Sequence, residues 1–386
     1  MKRKVYIIRC LGFGNTLLFL LSLPVRFLFR FKDSIFKYKS EIRSHLKIRD
    51  LIITGKFHTL QKLPGAIRSE INQFYKNYNL TENQLWHRFF ITINSIESPC
   101  YISEGAFYNS IEPRLNNAWM VTAYTDKNIY ERILPSVKQP QTILRYIDGR
   151  YYDSLYTELT GYEALELLQA ENSTLIFKPS IVSGRGRNIF RLIPDNGRIL
   201  LNGKDTSLND LTGICPDGFI IQKFLDQHPA ISAIYPHSLN TVRIVTLRYR
   251  DSVEILSAIF KMGNEDHFLD KMAFGGLSCG INKDGTLFDY AFDNGFSKHK
   301  VHPQTGTVFK GLLLPGFQKL EETVINAHKN MPYFDMISWD MAIDPEGEPV
   351  MIEMNLRSQG IIYQQAIYGP LFGDKTREIL NELIKN

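Results

Sequence analysis

The chain has 386 residues, 44% of them hydrophobic and 22% charged, the make-up of a globular protein of about two or three domains. Its formal net charge of +5 is mild, and without a long basic run it excludes nucleic acid as the expected partner. The cysteines, Cys10, Cys100, Cys215 and Cys279, stand far apart without a C-x-x-C pair, which argues against a zinc site or disulfide framework and for a reducing cytoplasm.

Residues 1–40 differ from the rest. Lys2, Arg3 and Lys4 precede an apolar run over 11–23, interrupted by Asn15 and Thr16 and stopped by Pro24. VRFLFRFK follows, mixing bulky apolar side chains with Arg26, Arg30 and Lys32. The run is shorter than the roughly 20 residues a spanning helix needs, and no small-x-small cleavage site follows it. It reads either as a basic, aromatic segment lying on a membrane surface or as a buried N-terminal helix. Gly12-x-Gly14 after VYIIRC imitates a dinucleotide fingerprint, with Asp33 about 20 residues on. Leu17 in the third small position and Pro24 in the following helix rule it out.

Residues 41–125 form a second region, mainly helical up to about 110. The run from Thr81 to Gln84 predicts a capping box opening a helix with Trp86 and Phe89. NNAWMVTAYTDKNIYERIL predicts a strand, then a helix starting at Asp126-Lys127. Pro135 and Pro140 end that helix and lead into a strand within QTILRYIDGRYYD. A lysine at such a position is most often only solvated, so Lys127 alone assigns nothing.

STLIFKPSIVSGRGRNIFRL carries more chemistry. LIFK is a short buried-strand pattern ending in Lys178, and Pro179 blocks ladder pairing beyond it. Ser183, Gly184, Arg185, Gly186 and Arg187 form a glycine-rich, cationic loop before another strand. Such a loop either turns backbone N–H groups toward phosphate oxygens or is a basic β-turn. It is not a P-loop, because G-x-x-x-x-G-K-[ST] is missing and a strand follows it. DGFIIQKFLDQHPAIS places an apolar strand before Gln222, Lys223, Phe224 and Leu225. In HSLNTVRIVTLRYR, Thr241 and Arg243 share one strand face and Val242 and Ile244 the other. Arg243 there serves an anion or a structural salt bridge.

SWDMAIDPEGEPVMIEMNLRSQG, residues 338–360, predicts a β-hairpin turning at Asp344-Pro345-Glu346-Gly347. With Asp344 opposite Gly347, Trp339, Met341 and Ile343 share an apolar face with Val350, Ile352 and Met354. The other face sets Asp340 diagonal to Glu353, with Asn355 two residues on. These hard oxygen ligands suit magnesium, which leaves part of its shell to water and substrate phosphates; the alternative is a solvated acidic face.

In this order the set resembles the ATP-grasp family over about 126–360: lysine on a strand, glycine loop, strand with polar connector, arginine strand, Asp…Glu-x-Asn hairpin. Phe274-Gly275-Gly276 and VHPQTGTVFKGLLLPGF, with His302-Pro303-Gln304-Thr305-Gly306, resemble its sugar-transfer and polysaccharide-assembly branch. The resemblance implies an α+β fold in which two subdomains clasp ATP, spanning 126–386 after the helical 41–125 region. It implies that Lys127 and Lys178 hold the α- and β-phosphates while the 183–187 loop closes over the triphosphate. Gln222, Lys223, Phe224 and Leu225 would line the adenine pocket, with Asp226 or His228 at the ribose. Arg243 would face the transferred phosphoryl group, and Asp340, Glu353 and Asn355 would bind Mg2+. Arg357 and Ser358 follow where the family meets its acceptor. Gln222 departs from the glutamate of many members, and Lys271 after Asp270 from the asparagine common in this branch.

The implied activity is an ATP-dependent carboxylate–amine ligase that forms an acyl phosphate on a carboxylated sugar or an amino acid. Its partners would include an amine acceptor and, by analogy, the polysaccharide assembly machinery. The expected location is cytoplasmic, peripheral at the inner face of the membrane. The alternatives are a glycan kinase transferring phosphate to a hydroxyl and a nucleotide-binding module without turnover.

Overall fold

The computed structural model describes residues 39–55, 57–181, 187–264 and 276–385. Most of segment 1–40, the loop residues Ser183, Gly184, Arg185 and Gly186, and Asp270, Lys271, Phe274 and Gly275 lie outside them. Among the described residues no helix is long and apolar enough to cross a membrane.

The N-terminal part is helical, with helices at 39–54, Gly65–Asn77 and Gln84–Asn94. The last is opened by Asn83, whose side chain accepts from Leu85 N, and not by the Thr81 box. Asparagine is as good a cap as threonine and lies one residue before the apolar run, so it wins locally. A π-helical turn, Phe107–Ile111, leads into Glu112–Leu115. The run predicted as a strand is the helix Ala118–Tyr124, capped by Asn117. Only Val121 of it is buried, so no strand face is available there. Asp126 caps the short turn Lys127–Ile129, as its Asx side chain favours.

Two antiparallel sheets follow. The first contains β1 (Thr142–Ile147), β2 (Arg150–Tyr152), β3 (Glu158–Leu159), β4 (Leu175–Pro179), β5 (Phe190–Asp195), β6 (Arg198–Leu201), β7 (Lys204–Asp205) and β8 (Phe219–Lys223), in the order β3-β2-β1-β8-β4-β5-β6-β7. The second contains β9 (Thr241–Tyr249), β10 (Ser252–Met262), β11 (Leu277–Ile281), β12 (Leu287–Phe292), β13 (Lys298–His299), β14 (Met336–Ile343) and β15 (Pro349–Asn355), in the order β13-β12-β11-β10-β9-β14-β15. The helix Phe317–Lys329 covers one face of the second sheet through Phe317, Leu320 and Val324. The N-terminal helices share a core with its other face and with the C-terminal helix Ile361–Tyr368.

The β14–β15 hairpin forms with a different register from the one its turn predicts. Gly347 takes a left-handed conformation (φ +83°) as the extra loop residue, so Asp344 N pairs with Glu348 O at 3.0 Å. A bulge after Asp340 adds a second slip. Two slips restore the original parity, and Asp340 sits directly opposite Glu353 instead of diagonal to it. The first slip sets Met351 opposite Met341, in the core with Trp339, Ile343 and Met354, while Val350 is buried opposite Ala342 and Ile352 is half-buried.

Candidate active site

The site is built on a row of residues across three neighbouring strands. Arg243 on β9 pairs with Asp340 on β14, which pairs with Glu353 on β15. Directly paired positions share a face, so the three side chains rise on the same side of the sheet. Arg243 grips Asp340 as a fork, Nε to Oδ1 at 2.9 Å and Nη2 to Oδ2 at 2.5 Å. Lys261 on β10 adds Nζ to Oδ1 at 3.5 Å, and Asn355 donates Nδ2 to Oδ2 at 3.2 Å. Burial alone would raise the Asp340 carboxyl, but the Arg243 and Lys261 charges, with the Arg243 and Asn355 hydrogen bonds, hold it well below the usual carboxylate range. Lys261 is the member that sequence reasoning missed. Its signal is a lysine between Phe260 and Met262, at the apolar end of the strand.

The first sheet supplies the opposing cations. Lys127 Nζ lies 3.1 Å from Glu353 Oε1, and its backbone N donates to Ser180 O at 2.9 Å, just beyond β4. Lys178, at the end of β4, is buried. Burial, then the like charge of Lys127, lower its pKa to about 7, with Glu353 opposing. Segment 127–141 therefore runs along the hairpin: Met351 N donates to Lys138 O at 2.8 Å, and Lys138 pairs with Asp344.

The β8 connector is adjacent. Gln222 is buried; its Nε2 donates to Pro140 O at 3.0 Å and Thr142 Oγ1 at 3.2 Å, while Oε1 is buried without a partner among the described residues. Lys223 pairs with Glu171 at 3.2 Å, and the Arg191 guanidinium lies 5.2 Å from the Phe224 ring centre. Leu225 and His228 are half-buried and Asp226 is exposed. His228 caps the turn Pro229–Ser232 and donates its backbone N to Ile343 O at 2.9 Å, joining the connector to the hairpin.

Asn116 fixes the base of the hairpin. Its Nδ2 donates to Met336 O and Leu356 O, both at 2.7 Å, and its Oδ1 accepts from Asp335 N and Met336 N. Beyond β15, Ser358 adopts φ +58°, unusual for a residue with a side chain. Glu112 Oε1 accepts from Gln359 N at 3.4 Å. Burial raises the Glu112 carboxyl to about 7 against the Gln359 and Ser358 amides and the Arg357 charge.

Asp340, Glu353 and Asn355 thus converge as oxygen-bearing side chains. Among the described residues no three His, Cys, Asp or Glu side chains form a closed metal cage. Two carboxylates and an amide fit an ion that draws the remainder of its shell from phosphate and water, as Mg2+ does. The unsatisfied Gln222 Oε1 likewise fits a ligand carrying an N–H donor.

The chain is thus an α+β protein of two antiparallel sheets, in which Lys178 on the first and Lys127 in a turn anchored to it stand near the carboxylate hairpin of the second. The family described as sugar-transfer associated ATP-grasp matches residues 107–379, and the chain belongs to it. Comparison by sequence with curated proteins returns no match. Similar solved structures include the ATP-grasp ligase PsnB with its minimal precursor, at 11% identity and TM-score 0.39, covering 70% of this chain and 63% of that one. D-alanine–D-alanine ligase from Bacillus anthracis is similar at 14% identity and TM-score 0.38, covering 69% and 71%. The biotin carboxylase domain of 2-oxoglutarate carboxylase from Hydrogenobacter thermophilus, in complex with MgADP, ADP and bicarbonate, is similar at 13% identity and TM-score 0.38, covering 68% and 46%. This chain therefore spans less than two thirds of the PsnB chain and under half of the carboxylase domain.

Proposed function

We propose that the protein is an ATP- and Mg2+-dependent carboxylate–amine ligase of cell-surface polysaccharide biosynthesis. It would work in the cytoplasm at the inner face of the membrane, with the assembly machinery as its partner. The observation that carries this reading is the Arg243–Asp340–Glu353 row facing Lys127 and Lys178 from the other sheet. Membership of the family supports the nucleotide and the sugar-transfer setting.

In this reading Lys127 and Lys178 hold the phosphates under the loop of Ser183, Gly184, Arg185 and Gly186. Gln222 Oε1 accepts from the exocyclic amine of adenine, flanked by Lys223, Phe224 and Leu225, with Asp226 or His228 at the ribose. Asp340, Glu353 and Asn355 hold Mg2+, which would supply charge neutralisation on the transferring phosphoryl group. Arg243 and Lys261 keep Asp340 ionised for that task, and Arg243 adds positive charge beside the transferred group. The substrate carboxylate attacks the γ-phosphorus and ADP leaves; the amine then attacks the acyl carbon, and phosphate departs with the carbonyl restored. The proposed substrates are a carboxylated sugar or an amino acid and an amine-bearing acceptor.

Incubation with ATP, Mg2+ and pooled sugar acids, amino acids and amines, followed by mass spectrometry, tests the reading. It predicts ADP, phosphate and a product equal to acid plus amine minus water. A stable phosphate ester would replace it with a kinase, and nucleotide binding without ADP across the panel with a binding module.

A further inference from the structure

The N-terminal helices carry a second constellation that this reaction does not use. The helix at 39–54 buries Ser44 and Ile48 but leaves Ile42, Leu46 and Ile53 43%, 59% and 75% exposed. Residues 42, 45, 46, 49 and 53 follow helical spacing, so these apolar side chains share one face with His45 and Arg49. His45 also lines a cavity of about 500 Å³ together with Lys62, Arg68 and Arg88, and among the described residues no carboxylate lines it. The cavity opens beside Asn83 and Gln84, at the start of the Gln84–Asn94 helix, where the backbone dipole favours an anion. Arg88 is fixed there by donating to Leu60 O and Gln61 O, both at 3.1 Å, while Lys62 and Arg68 are exposed. Of the carboxylates on the helix, Glu41 is engaged by Asn109, and the exposed Asp50, four residues after Leu46 and three before Ile53, lies at the edge of this face.

We propose that this face docks on an anionic phospholipid bilayer. Headgroup phosphates enter the basic cavity while Ile42, Leu46 and Ile53 sink past the headgroups. The pairing of an exposed apolar line with a cavity whose charged lining, among the described residues, is Lys62, Arg68 and Arg88 fits an interface that is charged above and apolar below. A dissolved phosphate would use the cavity and leave the apolar line unexplained. The chain entering this helix reads VRFLFRFKDSIFK over 25–37, again cations interleaved with aromatic and aliphatic residues. The surface is remote in kind from the ligase chemistry and stands without it.

The full chain is sedimented with phosphatidylcholine vesicles, with and without phosphatidylglycerol, at two salt concentrations. Binding to the anionic vesicles alone, weakened by salt, is expected. The Lys62→Glu/Arg68→Glu variant and the Ile42→Ser/Leu46→Ser variant should each lower the partition by about tenfold or more. All four positions are exposed, so unchanged circular dichroism and unchanged ATP turnover in solution certify the variants. Equal binding to neutral vesicles, no binding by the parent, or undiminished binding by both variants would overturn the proposal. Absent turnover in a parent that still binds vesicles would count against the ligase reading only.

Discussion

Lys127 Nζ stands 3.1 Å from Glu353 Oε1, and this contact brings a turn anchored to the first sheet against the last strand of the second. The lysine is buried and the carboxylate about one-third exposed, so the pair itself contributes little, about 1 kcal/mol after solvent screening. Its larger effect is to keep a cation beside the carboxylate that the nucleotide's metal would use. Lys127→Met should lower Tm by only a few degrees but weaken ADP binding about tenfold or more. Thermal melts and calorimetric titration with ADP measure the two effects separately.

Lys178 carries the clearest pH signature. Its folded pKa of about 7 lies below the ordinary 10.5, so between these values the unfolded chain binds a proton that the folded chain lacks. This residue's contribution to stability therefore rises with pH across that window. A bound polyphosphate favours the charged lysine and reverses the shift. ATP binding at pH 8 should take up protons, seen as a dependence of calorimetric enthalpy on buffer ionisation heat, and Lys178→Met should remove most of that uptake.

Glu112 shifts in the opposite sense. With its carboxyl raised from 4.5 to about 7, the folded protein holds a proton that the unfolded chain releases, and stability falls as pH rises through that window. Glu112→Gln keeps an acceptor for Gln359 N without the buried charge. The variant should be as stable as the parent near pH 5 and more stable near pH 8, a comparison made by denaturant titration at the two values.

The hairpin was legible because a turn sequence separates two runs with a period of two, and because acidic and amide residues interrupt only one face. Its register was not, since a left-handed Gly347 and a bulge after Asp340 each move the pairing by one residue without a distinct sequence mark. Lys127 and Lys178 were readable as ends of local elements, but their approach to Glu353 depends on how two sheets meet. Lys261 and Glu112 escaped notice because their partners are distant in sequence: Asp340 for one, the 357–359 segment for the other. The strand expected before Thr125 failed because apolar composition outweighed the Asn117 cap, and its tryptophan, Trp119, is 93% exposed.

In the proposed mechanism Asp340 would serve structure as well as chemistry. Asp340→Asn leaves the Arg243 fork and Lys261 around a neutral amide, and the loss of one partner from a largely buried ion pair costs about 3 kcal/mol. Glu353→Gln, at a more exposed carboxylate that pairs with Lys127, should cost under about 1 kcal/mol. Both should lower ADP formation by about a hundredfold or more. Urea titrations beside initial rates would separate the stability difference from the shared catalytic loss.

The central claim is that the Asp340–Glu353–Asn355 group binds the metal that accompanies ATP. Its most direct test is the affinity for a non-hydrolysable ATP analogue, titrated with and without Mg2+, in the parent and in folded Glu353→Gln. Mg2+ should tighten binding by about tenfold or more in the parent and by little in the variant. An equal Mg2+ effect in both proteins would contradict the account.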